Sequence, residues 1–504
     1  MIILRYIFLN ILFLALGYAF SVQDSFITKW KVNASKSITI PTIGKGYNYS
    51  IEWGDGTTEN NITGDISHTY LEEKVYTLKI SGKFPQVYFR KEGIARDTII
   101  SIEQWGNIEW RSMNGAFWKC RNLEANYSDI PKLINVTDMD FMFYKAYKFN
   151  GNVENWDVSN VKYMRFLFSD AYSFNQDLTS WDVSNVKSMS YMFRNANHFN
   201  QNLSLWDVSN VKYMRFMFEG AYIFNQDIGL WDVSNVKSME FMFHNAYAFN
   251  QNINSWNTSN VSNMDSMFAW ATKFNKDLSS WDVSSITTMK SMFFEANKFN
   301  QNIASWDVSK VKNMNSMFYK ANKFNQNIDA WDVSNVEDIN SMFYMARNFN
   351  QNIALWNVSS VKDMGFLFYG ITHFNQDLSL WDVSKVENMA YMFYGLSDYN
   401  QNLSNWDVSK VNNMNFMFYN ASSFNQDLSS WNISEVDSMS EMLTGVTLST
   451  SNYDALLNSW YQLGLKNNVI FDAGNSQYSS VSEDSRIGII QNFSWKILDK
   501  GVIE

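Results

Sequence analysis

Cysteine, histidine and proline are all scarce in this chain, and each scarcity excludes something. The one cysteine among 504 residues, Cys120, rules out an internal disulfide framework and any multi-cysteine metal site. The four histidines, His68, His198, His244 and His373, form no repeated series, which argues against both a zinc site and a histidine-based catalytic centre. The three prolines, Pro41, Pro85 and Pro131, all fall in the first third of the sequence. Basic patches are also missing. With 40 Lys and Arg against 50 Asp and Glu the net charge is -10, and the cations are scattered, so a nucleic-acid partner is not expected. Only one long apolar run occurs, from Ile7 to Phe20 after Arg5, with Ala15, Gly17 and Ala19 near its end. Residues 1–20 read as a secretory signal peptide. A single membrane anchor is the competing reading, but the run is shorter than the roughly 20 residues a spanning helix needs. No membrane span is expected in the mature chain.

What is abundant is repetition. A tryptophan recurs every 25 residues, without insertion or deletion, from Trp156 through Trp181 and Trp206 to Trp406 and Trp431. A period of this length marks a solenoid, in which each unit buries its apolar face only by stacking on its neighbours. Function is then to be sought on repeated surfaces.

One unit, residues 174–198, shows the expected coil. Leu178, Trp181, Val183 and Val186 have the apolar spacing of a leucine-rich repeat, with Trp181 and Val183 alternating as in a short strand. Val186, Met189, Phe193 and Ala196 have the three-then-four spacing of one helical face, so a short helix is expected after the strand. Ser184 and its counterparts, serine in every coil, sit where they would cap that helix. The asparagine series from Asn150 to Asn425 suits a corner with left-handed backbone, and its stacked copies are placed to bond to one another. The residue after each tryptophan is Asp or Asn, as in Asp182, Asp282 and Asn257. Those carboxylates must be hydrated, bonded to amides or bridged by cations, and the coil lacks the acidic cluster that calcium, with its usual 6 to 8 oxygen ligands, would need.

The segments outside the array differ. Residues 21–90 alternate strand-like runs with turn signals, and 91–145 form an irregular N-terminal cap in which Met113 and Phe117 repeat the spacing of Met139 and Phe143. The regular coils occupy 146–445. Residues 446–504 read as a small α/β cap: helix at 453–463, strand at 469–472, helix at 483–492 and strand at 495–498.

Two family resemblances follow from these residues. Trp53, Gly54, Asp55, Gly56 and Thr57, then His68, Thr69 and Tyr70, look like the polycystic-kidney-disease (PKD) type of β-sandwich, which implies an extracellular spacer or binding module. The unit Phe-Asn-Gln-Asp-Leu-x-x-Trp-Asp-Val-Ser-Asn-Val-x-x-Met-x-x-Met-Phe-x-x-Ala resembles the BspA-like leucine-rich-repeat surface proteins, in the branch shared with mycoplasma surface lipoproteins. The end segment from Asn452 to Trp460 extends that resemblance. It implies a leucine-rich-repeat-type solenoid, surface exposure and, as in some members, adhesion to host or matrix proteins. The chain departs from the lipoprotein branch in having no lipid-anchor cysteine after its apolar run.

The candidate binding residues lie on the side expected to be helical. Two positions flanking the second phenylalanine of each unit are aromatic in three successive coils: Phe366 and Tyr369, Tyr391 and Tyr394, Phe416 and Tyr419. Tyr319 and Tyr344 extend one row, whereas Ser266, Ser291, Ser316 and Ser341 stand in the other. These rings either pack coil against coil or meet a partner. The expected function is that of an exported, noncatalytic adhesion or interaction protein with no catalytic, metal or cofactor residues. A carbohydrate-binding accessory protein and a structural surface-layer component are the alternatives. The partner is expected to be an extracellular protein or glycan.

Overall fold

The computed structural model describes residues 24–503, so the signal peptide expected at 1–20 lies outside the described residues. The chain divides between Asp227 and Ile228 into two compact units.

The first unit begins with six strands: β1 (Phe26–Lys31), β2 (Ser37–Ile40), β3 (Asn48–Glu52), β4 (Thr58–Ile62), β5 (Ile66–Thr69) and β6 (Val75–Lys83). Period-two burial explains them. In β6, Tyr76, Leu78 and Ile80 point inward while Val75 lies exposed at the strand's start. Two more strands, β7 (Ile99–Gln104) and β8 (Glu124–Ala125), complete a six-stranded sheet of order β4-β3-β6-β1-β7-β8, and β2 pairs with β5 in a second sheet. β7 is antiparallel to β1 and parallel to β8. The N-terminal sheet therefore runs directly into the first stacked turns, with Phe26, Trp105 and Trp110 in one aromatic cluster at the junction.

The coils are not built as expected. Residues 146–445 contain no helix; the coils are successions of tight turns, linked inside each unit by a single parallel bridge from one coil to the next. That bridge falls at Ser188 and its equivalents, within the stretch expected to be helical, and not at Trp181–Val183. The backbone amides explain the difference. Met139, Phe141, Phe143 and Lys145 donate to Tyr163, Arg165, Leu167 and Ser169 of the next coil at 2.8–3.0 Å, while Met142, Tyr144 and Ala146 donate three residues back within their own coil. An α-helix would direct all of these amides along its own axis. Left-handed residues also forbid one: Tyr191 and Asn195 have φ of 63° and 54°, and the same two positions repeat at Ser341 and Met345 in the second unit. Turn after turn folds Val186, Met189, Met192, Phe193 and Ala196 inward, all fully buried, so a chain of turns reproduces the apolar spacing of a helix.

Two further expectations change with it. The repeated serine caps no helix; Ser184 donates its amide to Asp182 Oδ1 at 3.0 Å, closing an Asx turn. The corner asparagines are absent from the left-handed positions, and their role is the coil-to-coil bond: Asn150 Oδ1 accepts from Asn175 N and Gln176 Nε2, both at 2.9 Å.

The second unit ends in α1 (Thr450–Trp460), β9 (Ile470–Asp472), α2 (Glu483–Phe493) and β10 (Lys496–Leu498). Met439 bridges Phe471 in parallel, and β9 pairs in parallel with β10, so the cap continues the ladder for two more rungs. Asn452 takes the place of the repeated glutamine by donating to Asn425.

Candidate functional site

Every coil presents columns of identical side chains, and most are occupied in holding the stack. The indole Nε1 of Trp281 donates to the carbonyl of Ile253 in the preceding coil at 2.9 Å, and Trp181, Trp206, Trp331 and Trp406 do the same in theirs. Within the second unit Trp331 and Trp356 stack at 6.4 Å with their planes 5° apart. Inside them run phenylalanine columns such as Phe318 and Phe343, 5.7 Å apart. The aspartates after the tryptophans bond to amides. Hydrogen bonds from the serine two residues on, side chain first and then amide, hold the carboxyls of Asp207, Asp282, Asp307 and Asp382 below the usual carboxylate range. Asparagine at 257 accepts the same bond from Ser259, which explains why either residue serves.

The candidate aromatic residues form surface columns on the turn segment that carries the ladder. Phe294, Tyr319, Tyr344, Tyr369, Tyr394 and Tyr419 stack in unbroken sequence at 4.3–4.7 Å with planes within 10°. Beside them Phe366, Tyr391 and Phe416 stack at 4.4 and 4.6 Å. The two columns touch obliquely, as where Tyr391 meets Tyr394 at 6.0 Å. All eight expected residues are half-buried. Phe294 belongs to the same column and was not expected, although it lies one period before Tyr319. Burial, then the neighbouring phenol, raises the pKa of Tyr344, Tyr369 and Tyr394, so these hydroxyls are neutral donors and acceptors.

The backbone under the second column is left-handed at Phe366, Tyr391 and Phe416, with φ of 58°, 60° and 55°. The serines of the same column adopt it too, Ser291 at 55° and Ser316 at 57°. The fold thus accepts serine or an aromatic ring at one backbone geometry.

Four overlapping matches to one family model, described as "Mycoplasma protein of unknown function, DUF285", cover residues 111–228, 201–294, 271–368 and 350–460. The chain belongs to this DUF285 family. No curated protein matches it. The DUF285 span takes in all the regular coils and α1, and it starts after β1–β7. Both aromatic columns lie inside it.

Elsewhere on this DUF285 chain the titratable groups serve local structure. His68 Nε2 lies 2.7 Å from Asp55 Oδ2, and its ring stacks on Trp53 at 4.8 Å. Burial would raise the Asp55 pKa, but hydrogen bonds from Thr57 and His68 outweigh it and bring it to about 2. His198 bonds to the Tyr172 carbonyl and His373 to Asp398, each in its own coil pair. Among the described residues no three His, Cys, Asp or Glu side chains are grouped to hold a metal ion, and no helix is long and apolar enough to cross a membrane.

Proposed function

We propose that this chain is an exported, noncatalytic surface protein that holds another macromolecule through the twin aromatic columns of residues 366–419. One observation carries the reading: rings occupy a left-handed position that serine fills equally well in neighbouring coils, so packing does not demand them. Half-exposed aromatic side chains that the fold does not require are the composition of a recognition surface. The N-terminal sheets serve in this reading as a PKD-like spacer, and the resemblance of the repeat to BspA-like surface proteins is the ground for adhesion as the purpose.

The stacking favours a protein over a glycan. A sugar packs on the face of an aromatic ring, but each interior ring of these columns has both faces covered by its neighbours. Ring edges and hydroxyls are left for the partner, and they suit the flat, hydrogen-bonding surface of a protein.

Changing Tyr369, Tyr394 and Tyr419 together to Ser tests this. The variant is expected to melt within a few degrees of the natural chain and to lose binding to the ligands that the natural chain selects from an array of extracellular proteins. Retained binding in the folded variant, or selection of glycans alone, would overturn the proposal.

A further inference from the structure

The aromatic columns have ends, and at an end one ring face is uncovered. In the first unit the chain covers such a face itself. Phe141 begins a column that continues through Phe166 at 4.5 Å and Tyr191 at 4.2 Å. One coil earlier the corresponding position holds Gly115, whose amide donates to Asp140 in the usual ladder pattern. Arg90 lies in the space that a side chain there would fill: a Cβ on Gly115 would come 2.8 Å from Arg90 Cβ. Its guanidinium sits over the Phe141 ring, 4.2 Å from the centroid. The neighbouring column ends the same way, with Arg96 Cζ 4.6 Å from the centre of Trp118, which stacks in turn on Tyr144.

In the second unit the column of Phe366 has the same end: Tyr344 meets the ring obliquely, at 6.2 Å and 49°, and among the described residues no arginine lies over it. Tyr391 covers one face of Phe366 at 4.4 Å. Toward the other face the column position holds Ser341, which carries no ring and donates its amide to Gly365 just as Gly115 donates to Asp140. A carboxylate is linked to Ser341 through Asn340, whose Oδ1 accepts from Ser341 Oγ at 2.7 Å. Asp363 Oδ1 accepts from Asn340 Nδ2 at 3.0 Å and from Gly365 N at 2.8 Å, the residues immediately before Ser341 and Phe366. Its Oδ2 receives no hydrogen bond among the described residues.

We infer that the open face of Phe366, above Ser341 and beside Asp363, is a pocket for an arginine side chain of the partner protein. The guanidinium sits over the ring, as Arg90 sits over Phe141, and its edge donates to the Asp363 carboxylate. This rests on the partner surface proposed above and gives it a chemistry: a cationic planar group for a chain of net charge -10.

The test uses the full chain and an acetylated, amidated Gly-Ser-Arg-Ser-Gly peptide, observed by proton NMR. Ring currents are expected to move the arginine δ-protons upfield on titration. The Ser341→Phe variant, which completes the column with a residue already found at Phe366 and Phe416, should abolish the shift. Asp363→Asn, or citrulline in place of arginine, should weaken binding at least fivefold. The inference is overturned if the natural chain produces no shift, if Ser341→Phe leaves it intact, or if the citrulline peptide binds equally well. Loss of the Tyr369, Tyr394 and Tyr419 surface in the earlier experiment with this shift retained would separate the two proposals.

Discussion

Trp156 and Trp281 occupy the same place in the period but differ by one bond. Trp281 donates to Ile253, whereas the buried Nε1 of Trp156 has no partner because no regular coil precedes it. Each indole is thus a cross-coil hydrogen bond as well as packing, a role its recurrence in the sequence did not reveal. Tyr399 exposes the same logic in reverse. It stands in a column that is otherwise phenylalanine from Phe149 to Phe424, fully buried, with its hydroxyl unpartnered. A buried polar group without a bond costs about 1–3 kcal/mol. Tyr399→Phe is therefore expected to stabilise the chain by about 1 kcal/mol, read as a higher urea midpoint, with an unchanged or lower midpoint as the opposing result.

At the scale of elements, the legible parts were those with ordinary geometry. The cap helices expected at 453–463 and 483–492 are found at Thr450–Trp460 and Glu483–Phe493; the first has one buried apolar face, Tyr453, Leu456, Leu457 and Trp460, and a start capped by Ser449. The coil itself was misread because inward-facing residues on consecutive turns fall three and four apart, as in a helix. The signal that separates the two is backbone handedness, and it is muted here because Tyr191, Asn195, Ser266, Glu295 and Lys320 all take φ between 51° and 63°. Glycine announces them only at Gly220, Gly370, Gly395 and Gly445, which share the period position of Asn195. A β-branched side chain is the residue type least able to follow. Tyr191→Val should cost about 1–3 kcal/mol and Tyr191→Asn less than half as much, measured as thermal unfolding of the two variants. Equal losses would mean that ring stacking between Phe166 and Tyr191, and not backbone handedness, sets the cost.

For the molecule as a whole, the period, the solenoid class and the positions of the surface rings could be read from the chain alone. The stacking of those rings into closed columns could not, because it depends on the spacing between coils. Composition hid it as well: the ring residues on the surface are the same types as those in the core, and only their columns distinguish them. One family model matches the coils four times over, and the bonds inside each unit repeat the same ladder contacts from rung to rung. Interchangeability of rungs is the claim from which the surface reading follows. Removing residues 301–325 joins Asn300 to Gln326 in the same phase of the repeat, whereas removing 301–312 joins it out of phase. The 25-residue deletion is expected to keep a cooperative melt within several degrees of the full chain, and the 12-residue deletion to lose it. A 25-residue deletion that unfolds as readily as the 12-residue one would contradict the stack of equivalent coils.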